Sequence, residues 1–136
     1  YDDFEWETSH VIPALIRKVI ERHDPIEVWG DGNELKEFLY IDDFIDGLLL
    51  AMEKISSSDP INLSMNKPIT VREIIDTLVR LDNYENAKII YDTSKPTMIP
   101  KRLIDNTLAK KMIGFEPKIN IKEGLMKTIN WYRESK

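Results

Sequence analysis

The 136-residue sequence contains no cysteine, which excludes disulfides, thiolate metal sites and thiol nucleophiles within the chain. The absence fits a reducing compartment, and a cytoplasmic location is expected. No apolar run approaches the roughly 20 residues that cross a bilayer, and no signal peptide opens the chain, so no membrane partner is expected. Glycine is scarce. Its five copies never take the G-x-G-x-x-G spacing that cradles a dinucleotide between a strand and a helix. No cofactor site and no metal site are therefore expected in this chain. Long basic runs are missing as well, within a net charge of −5. Duplex binding rests on clustered Lys and Arg that neutralise phosphates, so nucleic acid is not an expected partner.

What is present suffices for one domain with a modest core, at 42% hydrophobic and 32% charged residues. The chain opens without Met on YDDFEWETS, which reads as a loop already in progress. It is therefore expected to be a piece of a longer polypeptide. Thr8 or Ser9 is the expected N-cap of a helix from His10 to Arg22, with Pro13 tolerated in its first turn. Val11, Leu15, Val19 and Ile20 form its apolar stripe. Ile26 to Trp29 reads as a strand, Gly30-Asp31-Gly32-Asn33 as a hairpin turn, and Glu37 to Ile41 as a second strand.

Asp42 or Asp43 then caps a helix to about Lys54, with Phe44, Ile45, Leu48, Leu49 and Met52 expected to face inward. Pro60 to Leu63 reads as a short strand. Thr70 and Glu73 form a capping box for a helix from Val71 to Leu81, with Ile74, Ile75, Leu78 and Val79 in the core. Ala87 to Tyr91 is a further strand. Asp105 caps a short helix that stops at Gly114, and Ile121 to Ser135 is a closing helix burying Ile121, Leu125, Ile129 and Tyr132. Helices mixed with short strands make the fold α+β, or a lobe of an α/β protein.

Chemistry-bearing residues are sparse. Helical spacing places His10, Ala14, Arg17 and Lys18 on one face, with His10 and Arg17 about 10 Å apart along the axis. That separation suits an imidazole at a reacting sugar and a cation at its diphosphate, and equally an ordinary solvated face. Lys36, Lys95 and the Lys101-Arg102 pair can meet phosphate as point charges or remain solvated. Trp29 at a strand end stacks on a ring or fills the core, and spacing alone favours the core. From the residues themselves the reading stops at an α+β domain with an anion-friendly rim.

Longer strings add to this. SHVIPALIRK at 9–18, VWGDGNELKEFLYIDDFIDGLL at 28–49, INLSMNKPITVREI at 61–74, SKPTMIPKRLID at 94–105 and GLMKTINWYRE at 124–134 occur in this order. In these strings the chain resembles the GDP-L-fucose synthases, of the NAD-dependent epimerase/dehydratase family of extended short-chain dehydrogenases. The resemblance implies that residues 1–136 form a small C-terminal nucleotide-sugar-binding domain, without the Rossmann domain. It implies an NADP(H)-dependent parent that epimerises a GDP-4-keto-6-deoxymannose at two carbons and then reduces the ketone. His10 resembles the general acid of epimerisation, a role that an imidazole with an ordinary pKa near 6.5 can serve at neutral pH. The family's substrate contacts fall on Val11, Leu15, Lys18, Trp29, Lys36 and Lys95.

Two departures stand out. The family carries Arg at the positions of Lys18 and Lys36, and Lys lacks the planar fork that Arg offers to phosphate. The loop reads Thr97-Met98-Ile99 where the family has an Asp-Gly pair. The family's glycine turn, its Tyr-x-x-x-Lys pair and its epimerising Cys have no counterpart here, so this chain alone is expected to be inactive and to bind no cofactor. A homodimer is expected of the parent and a monomer of this chain. Two alternatives remain: another NAD-dependent epimerase or dehydratase acting on a UDP- or other nucleotide-sugar, and a non-catalytic interaction module. His10 separates the first, because those families lack the S-H-V-I-P histidine.

Overall fold

The computed structural model describes residues 2–97 and 99–135. Tyr1, where the opening loop was read, and Met98 of the departing Thr97-Met98-Ile99 stretch lie outside the described residues. The elements in chain order are α1 (Val11–Ile20), β1 (Ile26–Trp29), β2 (Leu35–Lys36), α2 (Ile41–Lys54), β3 (Ile69–Thr70), α3 (Val71–Leu81), β4 (Ile89–Asp92), α4 (Thr107–Ile113) and α5 (Ile121–Glu134). They form two compact units, one of Tyr1–Glu34 with Thr70–Pro100 and one of Leu35–Ile69 with Lys101–Lys136. The mixed helix-and-strand class expected from the sequence is borne out.

In the first unit β1 and β4 pair in parallel, with Ile26 opposite Ile89 and Trp29 opposite Asp92. Parallel partners need a crossover, and here the chain between them includes the whole of α3. Ile16, Val19, Ile26, Ile74, Ile75 and Leu78 are fully buried and make the core of this unit. The Thr70–Glu73 capping box forms as expected: the Thr70 hydroxyl accepts from the Glu73 amide at 3.1 Å, and the Glu73 carboxylate accepts from the Thr70 amide at 2.8 Å. Beyond the far end of α3 the buried Asp82 takes a charge-assisted bond from Arg22, whose guanidinium also lies 4.7 Å from the Tyr84 ring centre.

The second unit packs Ala109, Ile113 and Phe115 against Leu39, Leu50, Ala51 and Leu63. Gly47 lets α2 approach closely, since a Cβ there would meet Leu63 at 2.7 Å and the Phe115 ring at 2.9 Å. Buried Asp43, on the same side of α2, accepts from the main-chain amides of Lys118 at 3.0 Å and Ile119 at 2.9 Å. These bonds fix the segment that leads into α5. Leu125, Ile129 and Tyr132 of α5 are buried as expected, while Ile121 is half-buried.

Several expectations are corrected. The N-cap of α1 is His10, not Thr8 or Ser9, and its side chain makes no capping bond. The stripe of α1 is centred on Leu15, Ile16 and Val19, with Val11 and Ile20 only half-buried. The glycine turn is not a hairpin, because β1 pairs with β4 and the strand after the turn, shortened to Leu35–Lys36, pairs with β3. No strand forms over 60–63 among the described residues. The caps expected at Asp42 or Asp43 and at Asp105 fall on Tyr40 and Asn106. The largest reversal concerns α2. Ile41, Phe44, Ile45, Leu48, Leu49 and Met52 are exposed, by 39% at Phe44 up to 81% at Met52. At 100° per residue they cover an arc of about 140°, opposite the side that carries Asp43, Gly47 and Leu50.

Candidate functional site

The parallel register of β1 and β4 brings both strand ends to the same side of the first unit. Trp29 is the last residue of β1, and Lys95 follows three residues after the end of β4. The loop that carries Lys95 is locally built. Asp92 accepts from both the amide and the hydroxyl of Ser94, at 2.9 and 2.6 Å. Those hydrogen bonds, with Lys95 nearby, hold the Asp92 carboxyl below its ordinary value. The Lys95 ammonium lies 5.8 Å from the Trp29 ring centre, within cation–π range. Trp29 is 53% exposed, so its expected place in the core is corrected: the ring faces solvent. Its indole N–H donates to the Glu27 carboxylate at 3.0 Å, which fixes the ring plane.

α1 supplies the other candidates of this unit. The His10 side chain is 81% exposed, with Nδ1 3.2 Å from the Asp2 carboxylate. A carboxylate here accepts, so this pairing places the proton on Nδ1 and leaves Nε2 open to solvent. Lys18 is half-buried and donates to the Glu27 main-chain carbonyl at 2.7 Å, tying α1 to β1. Burial pushes its pKa down, partly opposed by the Glu27 charge. Arg17, the cation that shares its face with His10, donates to Glu21 at 2.9 Å and to the Phe4 carbonyl at 2.8 Å, and covers the Trp6 ring at 4.1 Å. Of the two apolar residues among the expected substrate contacts, Leu15 is buried in the core and Val11 is half-buried.

Lys36 is half-buried in β2 and belongs to the second unit. The structure thus joins Trp29 with Lys95 and places His10, Val11, Leu15 and Lys18 on one helix of the same unit. Sequence reasoning missed Asp2 and Glu27. Nothing marks Asp2 in the sequence. Glu27 was findable, because the two-residue period of a strand puts it on the Trp29 side. A shallow hollow lined by Asn83, Tyr84, Glu85 and Asn86 lies elsewhere and includes none of the candidates.

The glycine turn after β1 does not fit a dinucleotide. Gly30 and Gly32 have φ of +85° and +78°, and a Cβ on them would meet Glu34 at 2.3 Å and Tyr91 at 2.5 Å. The space that a pyrophosphate would need is filled by side chains, and the turn leads into β2 rather than a helix. Among the described residues no three His, Asp or Glu converge on a cation position, and no helix is long and apolar enough to cross a membrane.

Comparison with known proteins follows the same lines. Residues 1–64 match the NAD dependent epimerase/dehydratase family. The chain is 35% identical over 138 residues, 98% of its length, to a probable GDP-L-fucose synthase 1 of Oryza sativa subsp. japonica, of which it covers 42%. A crystal structure of a GDP-L-fucose synthetase from Naegleria fowleri superposes with a TM-score of 0.88 at 25% identity, over 98% of this chain and 42% of that one. A UDP-glucose 4-epimerase from Thermotoga maritima, crystallised with UDP-glucose, gives the same score at 26% identity, again over 98% and 42%. The chain spans less than half the length of each of these relatives. It is similar over nearly all of its length to the GDP-L-fucose synthases and, over its first 64 residues, to the NAD dependent epimerase/dehydratase family at large.

Proposed function

We propose that the chain is the nucleotide-sugar-binding part of an NAD(P)-dependent epimerase/reductase, most like GDP-L-fucose synthase. The observation that carries this reading is the exposed Trp29 ring beside the Lys95 ammonium at the C-terminal ends of two parallel strands. Open parallel sheets bind ligands at that end. A flat apolar face next to a cation suits a base or sugar ring joined to a diphosphate. Lys18 keeps two of its three donors for phosphate after bonding the Glu27 carbonyl.

In this proposal His10 is the general acid. Asp2 holds the proton on Nδ1, and Nε2 of the imidazolium delivers its proton to the ring carbon from which another group has removed one. The base that removes it is assigned to the remainder of a longer parent. So is the nicotinamide site, for which this chain has no cradle. The exposed apolar side of α2 is what that remainder would cover. The parent is read as a cytoplasmic homodimer, and the chain by itself as an inactive monomer. A tight dimer at low concentration in sedimentation, or turnover by the isolated chain, contradicts this.

The direct test is a titration of the chain with GDP, UDP and GDP-mannose followed by amide NMR shifts. Shifts at Trp29, Lys95, His10 and Lys18, stronger for the guanine ligands, support the reading. No shift at millimolar ligand overturns it. In a full-length enzyme, His10→Ala is expected to slow epimerisation by about 10²–10⁴-fold, the contribution typical of a positioned general acid.

A second reading, an epimerase or dehydratase of UDP-sugars, is favoured by the likeness to the Thermotoga maritima epimerase crystallised with UDP-glucose. Preference for UDP in the same titration selects it.

A further inference from the structure

Among the described residues, the buried side-chain polar atom that lacks a hydrogen-bond partner is Oε2 of Glu34. The residue is 9% exposed. Its backbone is pinned where the first unit's chain leaves the glycine turn, since its carbonyl accepts from the Val71 amide at 3.3 Å. Its carboxylate folds back over Gly30. A Cβ on Gly30 would sit 2.3 Å from Oε1 of Glu34 and 2.7 Å from Cγ2 of Thr97. The carboxylate therefore lies between the end of β1 and the Lys95 loop, one residue along the chain from Trp29 and two from Lys95 at these contacts.

A buried carboxylate oxygen without a donor is costly, and such groups persist where something outside the bare fold completes them. The cation of this turn is committed elsewhere: Arg72 donates to the Asp31 carbonyl at 2.9 Å and lies 4.0 Å from the Tyr91 ring centre. Lys95 faces the Trp29 ring.

We infer that Glu34 is a specificity-determining residue, whose Oε2 accepts a hydrogen bond from a donor on the bound ligand. This rests on the nucleotide-sugar reading above. The chemistry required is an N–H or O–H directed at the Trp29–Lys95 end of the unit, and it has two sources: the N–H edge of a purine base or a hydroxyl of the sugar. A carboxylate there also repels any ligand that offers a carbonyl oxygen instead, so it selects by exclusion as well as by attraction. The same contact explains why position 30 carries no side chain, since any Cβ would displace the carboxylate.

The test measures dissociation constants of GDP, IDP and GDP-mannose for the chain and for Glu34→Gln and Glu34→Met, with melting temperatures alongside. The variants are expected to melt at the same temperature or higher, because a buried carboxylate oxygen without a donor has been removed. At least one ligand is expected to bind about ten- to a hundredfold more weakly to Glu34→Met, the range for a hydrogen bond to a charged group. A loss for GDP but not IDP identifies the base amino group as donor. Equal losses for both identify a donor that they share, the ring N–H or a ribose hydroxyl, and a loss confined to GDP-mannose identifies a hydroxyl of the mannose. Unchanged affinities for all three overturn the inference and leave the nucleotide-sugar reading standing. A lower melting temperature in Glu34→Gln also overturns it, by showing that the carboxylate already has a partner within the protein. If the unmodified chain binds none of the three and no UDP either, the inference and the nucleotide-sugar reading fall together.

Discussion

Helices α2 and α3 both carry an apolar side and stand in opposite relations to their units. α3 starts on a reciprocal cap and turns Ile74, Ile75 and Leu78 into the core. α2 turns its most apolar side to solvent and presents Asp43, Gly47 and Leu50 inward. A 3.6-residue period shows that a helix has an apolar side; it does not show that the same chain covers it. Where the inner side of a helix includes a carboxylate and a glycine, its packing is specified by hydrogen bonds and close approach as well as by area.

That contrast can be tested from its strongest element downward. Ile74→Ala, at a site with no solvent exposure, is expected to cost about 2–5 kcal/mol of stability in urea unfolding. Asp43→Ala leaves the Lys118 and Ile119 amides without their acceptor and is expected to cost about 1–3 kcal/mol. A smaller loss there would mean that water replaces the carboxylate and that the inner side of α2 is not specified by it. Thr70→Ala removes the cap of α3 for about 1 kcal/mol. Hydrogen bonds from Thr70 hold the Glu73 carboxyl below its ordinary value, so the contribution of that carboxylate is present above the ordinary value and lost as pH falls through the depressed one. The penalty of Thr70→Ala should therefore shrink in acid, which a series of melting curves reads directly.

Lys18 contributes a cost where the Glu73 carboxylate contributes a gain, although stability rises with pH in both cases. Burial lowers its pKa from 10.5, so the folded state carries a cost while Lys18 is charged, and that cost is relieved as pH rises through the lowered value towards 10.5. Against Lys18→Met, the unmodified chain should gain relative stability over that alkaline window; a flat difference would place the ammonium in effective contact with water. The smallest thermodynamic effect is expected on the outer side of α2. Leu49→Gln with Met52→Gln should leave the unfolding free energy within about 0.5 kcal/mol while reducing association at high concentration, as read by sedimentation. A marked loss of stability from this pair would show that the apolar side is buried after all.

Legibility in the sequence followed locality. The capping box at Thr70 and Glu73 needs four consecutive residues, and it was read correctly together with the core of α3. The hairpin was misread because Gly30-Asp31-Gly32 is a local turn signal, whereas the partner of β1 lies roughly sixty residues away in β4. No local pattern announces a parallel pairing. The candidate residues divide the same way. Trp29 and Lys95 were named one by one, but their proximity depends on that register. Asp2 and Glu34 are ordinary carboxylates among 24 acidic residues, and only burial or a ring nitrogen beside them singles them out.

The parallel pairing has a consequence for how the chain is made. The ribosome releases β1 well before β4 exists, and at on the order of 5–20 residues per second the interval lasts several seconds. Through that time Ile26 and Val28, buried in the finished unit, have no strand beside them. The speed of translation across residues 30–88 therefore sets how long a bare strand edge is open to strangers, and a slower message would yield more aggregate from an unchanged protein.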